Sequence, residues 1–258
     1  MFYFCIVKAL YKLFDFYINS SIHVALAAYS LVRITEHYFQ IPTNEALNYF
    51  IFYGTITGYN FVKYAGVAKL HHRSLTNDLK IIQVFSLICF LAMCYYMVKL
   101  PMITLWVSSP FVLLTVLYAV PFLSGFEKNL RAVSYLKIVV VALVWDAFTV
   151  LVPVINAEIL VGFDFYLVFL QRFLLIVVLI LPFDLRDVKY DSLALQTIPK
   201  KVGEQNTKRL GVILLVITLV LEYMISLGGQ AKNAFMLFLF TVNIRNKNQT
   251  IKLESSGI

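Results

Sequence analysis

Eight runs of mostly apolar residues, at approximately 18–35, 46–62, 81–98, 102–120, 135–156, 165–183, 210–227 and 231–244, alternate with short polar stretches. Each approaches the roughly 20 residues a helix needs to cross the hydrocarbon, the last run being short. Their periodicity is weak, as expected for helices that sit inside a bundle and are apolar nearly all round. In lipid the backbone must satisfy its own hydrogen bonds, and runs of this length do so as helices. The pattern therefore predicts an all-α polytopic membrane bundle of about eight transmembrane helices, folded as a single domain over residues 1–258. The segment before the first run carries Lys8, Lys12 and Asp15 among aromatics at 2, 3, 4, 11, 14, 16 and 17. It fits a segment lying along the membrane interface. It lacks a small-residue cleavage site, so a cleavable signal peptide is not expected.

Composition agrees with this pattern. The chain is 60% hydrophobic and 14% charged, with mean hydropathy +0.80. Soluble domains carry roughly 25% charged residues. The formal net charge of +8 raises a nucleic-acid partner, but the basic residues sit in short loops between apolar runs, as topology signals do, and form no basic face. No nucleic acid is expected. Cys5, Cys89 and Cys94 match neither zinc spacing nor a disulfide framework and read as small apolar residues.

Charge also sets the orientation. Eighteen of the 22 Lys and Arg fall in alternate segments: the N-terminus, the loop from Lys63 to Lys80, the loop from Lys128 to Lys137, the loop from Arg186 to Arg209, and the tail. Lys99 and Lys232 lie in the intervening loops, and Arg33 and Arg172 within runs. The positive-inside rule places both termini in the cytoplasm. Most polar chemistry then faces the cytoplasm too.

The densest chemistry follows the sixth run, in Pro182-Phe183-Asp184-Leu185-Arg186-Asp187-Val188-Lys189-Tyr190-Asp191. On a helix Asp184, Asp187 and Asp191 fall within an arc of about 60°. Three acids on one face repel one another unless a cation sits between them. Mg²⁺ takes oxygen ligands and commonly binds through one or two carboxylates together with substrate phosphates. Asp184 and Asp187, one turn apart, are the candidate metal ligands, with Asp191 in support. The alternative at this point is a solvated loop whose acids pair with Arg186 and Lys189.

The residues downstream sharpen the choice. Gln196-Thr197-Ile198-Pro199 and Leu210-Gly211 follow the three acids. Together they resemble the second aspartate-rich motif of the UbiA superfamily of intramembrane prenyltransferases, where D-x-x-D-x-x-x-D precedes a basic-Thr-Leu-Pro and a Leu-Gly entering the next helix. Tyr118-Ala-Val-Pro121, followed by Lys128, Arg131, Tyr135 and Lys137, is similar to the family's Tyr-x-x-Pro and basic loop. There, basic and Tyr side chains hold a diphosphate. Arg forks and Lys point charges suit phosphate oxygens. The resemblance implies a UbiA-type helix bundle, Mg²⁺ at Asp184 and Asp187, and Tyr118, Arg131 and Lys137 as diphosphate ligands. Topology charge alone accounts for Lys128 and is an even alternative for Arg131 and Lys137.

The family's first motif, N-D-x-x-D near the end of the second span, is not kept. Asn60 remains and by the resemblance is a candidate diphosphate-binding residue, while Phe61, Tyr64 and Ala68 stand where carboxylates are expected. Lys63 shares the face of Asn60 and Tyr64. If the two motifs face each other as in the family, its ammonium approaches Asp184 and Asp187, as a counter-ion or a phosphate ligand. The plainer alternative is a lysine snorkelling to the interface.

Other ionisable groups read as structural. His71 and His72 are a poor metal pair because neighbours on a chain point apart. Asn77-Asp78 reads as a helix N-cap. His23, Arg33, Asp146 and Arg172 lie inside runs, where such groups face the bundle and pair; Asp146 with Arg172 or Arg33 is the candidate pair. The resemblance as a whole implies prenyl transfer from an isoprenoid diphosphate to a lipophilic, membrane-associated acceptor. The alternative is a diverged protein of the same fold that binds an isoprenoid or quinone-like lipid, or assists a membrane complex, without turnover. Acceptor, chain length and oligomeric state cannot be read.

Overall fold

The computed structural model describes residues 2–64, 77–120, 134–187 and 198–225. They form helices α1 (Phe2–Asn19), α2 (Ile22–Tyr38), α3 (Glu45–Tyr64), α4 (Asn77–Met97), α5 (Met102–Ala119), α6 (Ser134–Asp146), a π-helical segment (Ala147–Leu151), α7 (Val152–Asn156), α8 (Phe163–Asp187), α9 (Ile198–Val202) and α10 (Glu204–Ile225). The first seven apolar runs each fall on this helical framework; the run at 231–244 lies outside the described residues. Among the described residues four segments are long and apolar enough to cross a membrane: Leu79–Met97, Met102–Ala119, Leu136–Asn156 and Phe163–Arg186. The chain is thus an all-α integral membrane protein. It divides into two compact units, Met1–Leu160 and Val161–Ile258.

In the first unit, α2, α3 and α4 alternate in direction. Tyr29 of α2 meets Phe52 of α3 edge-on at 6.5 Å, and Ser21, eight residues earlier, bonds Asn60. Tyr53 stacks on Tyr96 of α4 at 6.0 Å, while Asn60 bonds Ser86. The small residues Ala25, Ala28 and Val32 line one face of α2 and let α3 approach; Leu47, Phe50, Ile51 and Ile56 fill the contact and are all buried. Burying such side chains is worth about 1.5–3 kcal/mol each relative to water.

Of the prolines set in helices, Pro110 and Pro153 each have the break mended by a hydroxyl; Pro182 also lies inside a helix, Phe163–Asp187. Pro110 lies inside α5. A proline leaves the carbonyl four residues back without its helical donor, and Ser109 Oγ donates to that carbonyl, Trp106 O, at 2.9 Å. Pro153 does the same to Thr149 O. Here Thr35 Oγ1 of α2 donates at 2.6 Å, so the break becomes a tertiary contact. The π-helical segment Ala147–Leu151 ends just before this proline. One apolar run, 135–156, therefore folds as three consecutive helical segments.

The first apolar run also differs from a single uninterrupted helix. It begins at residue 18, yet α2 starts at Ile22, because Ser21 sits at φ 63° and turns the chain sharply away from α1. A non-glycine residue there is uncommon and strained.

The second unit is built on an antiparallel pair, α8 and α10. Leu181 lies 3.5 Å from the position a Cβ on Gly211 would take, and Gln171 Nε2 donates to Glu222 Oε2. Ten residues down α8 thus match eleven residues up α10. The one-turn helix α9 leads into α10 through Gly203, whose φ of +86° is one that side-chain-bearing residues rarely adopt.

Candidate functional site

The acids of the sequence motif begin on the last turn of α8. Asp184 is 1% exposed, whereas its neighbours Phe183 and Arg186 face outward. Arg186 lies over the Phe183 ring at 5.5 Å, which keeps its guanidinium on the outer face of the helix. Asp187 closes α8; its side chain, and Asp191, Thr197 and the residues between, lie outside the described residues. The register set by Leu181–Gly211 brings Lys200, Lys201 and Lys208 to the same end of the unit as Asp184. Lys208 pairs with Glu204 at 2.7 Å, and Glu204 itself stabilises the start of α10, where acids complement the helix dipole. Thr207, buried, back-bonds to Gly203 O at 2.9 Å. Pro199 is buried and packs α9 into this end.

Hard cations require oxygen donors. Asp184 supplies one carboxylate, held away from water at the end of α8; by sequence Asp187 and Asp191 follow at the spacing of a helical face. Carboxylate oxygens are the donor type that Mg²⁺ takes. Among the described residues no group of three or more His, Cys, Asp or Glu is assembled.

The other predicted site residues lie in the first unit and share one end of it. Phe111 meets Phe148 at 6.5 Å and Thr104 Oγ1 bonds Asn156 Oδ1 at 2.9 Å, so α5 and the α6–α7 segment run antiparallel. Tyr118, at the end of α5, and Lys137, at the start of α6, are therefore at one level. Tyr118 is buried and Lys137 half-buried. Tyr59 of α3 meets Trp145 of α6 at 6.2 Å, which puts the C-terminal end of α3 at that same end. Arg131 lies outside the described residues, as do Ala68, His71 and His72.

Asn60 and Lys63 are engaged by the chain itself. The Asn60 carboxamide is 3% exposed. Its Oδ1 accepts from Ser21 Oγ at 2.8 Å, and its Nδ2 donates to Ser20 O at 3.0 Å and to Ser86 Oγ at 2.7 Å. Lys63 Nζ donates to Asn19 O at 3.1 Å and reaches Asn19 Oδ1 at 3.3 Å; Tyr64 Oη donates to the same Asn19 O at 3.1 Å. An ammonium at the last carbonyl of α1 is favoured by the dipole of that helix. This turn of α3 offers an amide with both ends occupied, a phenyl ring, an ammonium and a phenol. It does not fit a hard cation.

The remaining ionisable groups behave as structural elements. Arg33 pairs with Glu36 and Thr43 on its own side of the α2–α3 turn. Asp146 and Arg172 are both buried, one in each unit. Cys89 is 2% exposed and Cys94 half-buried. Residue 77 begins α4, where the sequence expects a cap. Sequence reasoning missed the Gln171–Glu222 bond. Glu222 is the one acid in the run 210–227, and a lone acid in an apolar span is a signal for a buried partner. It also missed Ser20, Ser21 and Ser86 as the partners of Asn60; small polar residues in apolar runs carry no such signal.

No protein-family model matches the chain. No curated protein sequence matches it significantly. The fold does match a solved structure, described as that of a UbiA homolog from Archaeoglobus fulgidus bound to DMAPP and Mg²⁺. The TM-score is 0.55 over 90% of this chain and 85% of that one, at 11% sequence identity. The helical arrangement is therefore of the UbiA type.

Proposed function

We propose that this protein, with its UbiA-type fold, is a membrane prenyltransferase that moves a prenyl group from an isoprenoid diphosphate to a lipophilic, membrane-associated acceptor. The observation that carries this reading is the burial of Asp184 at the end of α8, in a D-x-x-D-x-x-x-D run on a fold of this type. Burying a carboxylate at a membrane border is costly unless it has work to do there.

Asp184 and Asp187 would hold Mg²⁺, with Asp191 supporting them or orienting the acceptor. When bound, the ion would supply positive charge toward the diphosphate. Arg131 and Lys137 donate to its phosphate oxygens, and Tyr118 adds a hydroxyl donor. The C–O bond of the allylic diphosphate breaks with its electron pair leaving on oxygen. The acceptor's nucleophilic atom then bonds the prenyl carbon and loses a proton. Tyr and Phe side chains, abundant in the chain, offer aromatic faces that suit a developing allylic cation. The chemistry faces the cytoplasm, as do both termini.

Asn60 and Lys63 stand apart in this reading, with their polar atoms on the α1–α2 corner. The same observation favours the second reading, a diverged protein that binds an isoprenoid or quinone-like lipid without turnover, because one of the family's two acidic clusters is replaced. The experiment is incubation of the purified protein in lipid with labelled prenyl diphosphates of several lengths, with and without Mg²⁺. Metal-dependent release of diphosphate supports the transferase; saturable binding without release supports the lipid binder.

A further inference from the structure

The corner between α1 and α2 is over-determined. Three consecutive residues, Asn19, Ser20 and Ser21, receive the side chains of Asn60, Lys63 and Tyr64 from one turn of α3. Ser20 Oγ also caps back to Phe16 O at 2.7 Å. Strain such as that at Ser21 persists only when the surroundings fix it, and it collects where a direction has to be held. What this corner aims is α1.

The stretch of α1 from Leu10 to Phe14 projects from the bundle. Phe16 packs on Phe85 of α4 at 5.3 Å, but Leu10, Tyr11, Leu13 and Phe14 are each about 60% exposed or more. An apolar groove of about 770 Å³ runs along α1 past Val7, Leu10, Leu13, Phe14 and Tyr17, and only Ile22 of α2 joins it. The helix therefore departs from α2 after the first turn instead of pairing along it. Its polar groups fall in one stripe: Lys8, Lys12, Asp15 and Asn19 occupy an arc of about 60°, and all four are exposed. An apolar surface of this size is not left to water. The lysine-rich border of the membrane lies at this level, because Lys63 and Lys80 flank the loop that leaves α3.

We infer that α1 is an in-plane helix of the lysine-rich leaflet, immersed through its Leu10–Leu13–Phe14 face. Lys8 and Lys12, one turn apart on the polar stripe, contact anionic lipid headgroups, and the Asn60–Lys63–Tyr64 turn fixes the helix at its angle. An interfacial helix with a narrow polar stripe sits deep in the headgroup region, with its lysines reaching up. A basic side chain at an anionic surface gains about fivefold in binding. The residues that replace an acidic motif at the end of α3 thereby serve as the anchor of this helix.

The test uses the full chain in nanodiscs of phosphatidylcholine, with or without phosphatidylglycerol. Spin labels are placed singly at positions 8, 10, 12, 13 and 14. Accessibility to oxygen and to a water-soluble nickel chelate is expected to oscillate, with 8 and 12 in water and 10, 13 and 14 in lipid. A steady depth gradient along α1 would mean that it crosses the bilayer, and uniform exposure to nickel that it leaves the bilayer; either overturns the inference. In a second arm, the double variant Lys8→Gln/Lys12→Gln is expected to lower phosphatidylglycerol enrichment around the protein several-fold. Unchanged enrichment overturns the headgroup contact. In a third, Lys63→Met is expected to blur the oscillation; an unaltered pattern overturns the lock. None of these readouts depends on prenyl transfer.

Discussion

The ends of α3 and α8 are the two places where acidic motifs of this fold type are expected, and they have gone opposite ways. The end of α8 keeps its acids. Asp184 is buried there, with Lys200, Lys201 and Lys208 at the same end of its unit. The end of α3 keeps only Asn60, and every polar atom of that carboxamide meets the protein's own backbone or hydroxyls. A buried polar group has to be satisfied by something. At α8 a carboxylate, Asp184, is buried at the helix end; at α3 the chain has supplied the partners of the retained amide. The Asn60 carboxamide is thus a ligand of the fold, and its position in the sequence alone does not tell this.

The comparison breaks first at Asp184. Asp184→Asn preserves shape and removes charge, and it is expected to lower Mg²⁺-dependent diphosphate release by roughly 100-fold or more, with little change in thermal stability; a rate within threefold of the parent would break the contrast. Asn60→Ala is expected to act on the fold instead. It strands Ser20 O and the hydroxyls of Ser21 and Ser86, at about 1–3 kcal/mol for a buried group left unmatched. The melting temperature in detergent should fall clearly while release per folded molecule stays within a few-fold. Thr35→Val removes the hydroxyl that donates to Thr149 O below Pro153 and should cost about 1–2 kcal/mol by the same argument, read as a lower melting temperature. Lys63→Met is the smallest, about 0.5–1 kcal/mol for a cation at a helix C-terminus. Mg²⁺ affinity rising sharply in that variant would instead tie the lysine to the metal.

Much of the fold was legible because apolar run length is a strong constraint in lipid. Seven runs fall on helices, and the break at Pro153 follows from proline chemistry. The corner at Ser21 was not legible. Serine is not the residue that announces a left-handed turn, and its conformation is imposed by α3, some 40 residues away. Asp184 at the end of α8 was visible from sequence, since charge inside an apolar context stands out. The fate of Asn60 was invisible for the opposite reason: its partners are two serine hydroxyls and a backbone carbonyl. Lys63 reads in the sequence as a counter-ion, a phosphate ligand or a snorkelling lysine, and the contact of its ammonium with Asn19 is one that no spacing announces.

The most direct measurement is diphosphate release from a labelled prenyl diphosphate by the protein in lipid, with the parent, Asp184→Asn and Asn60→Ala compared at equal amounts of folded protein. The account predicts Mg²⁺-dependent release by the parent and by Asn60→Ala, and none above background by Asp184→Asn. Release that survives loss of Asp184 but disappears with Asn60 would contradict it.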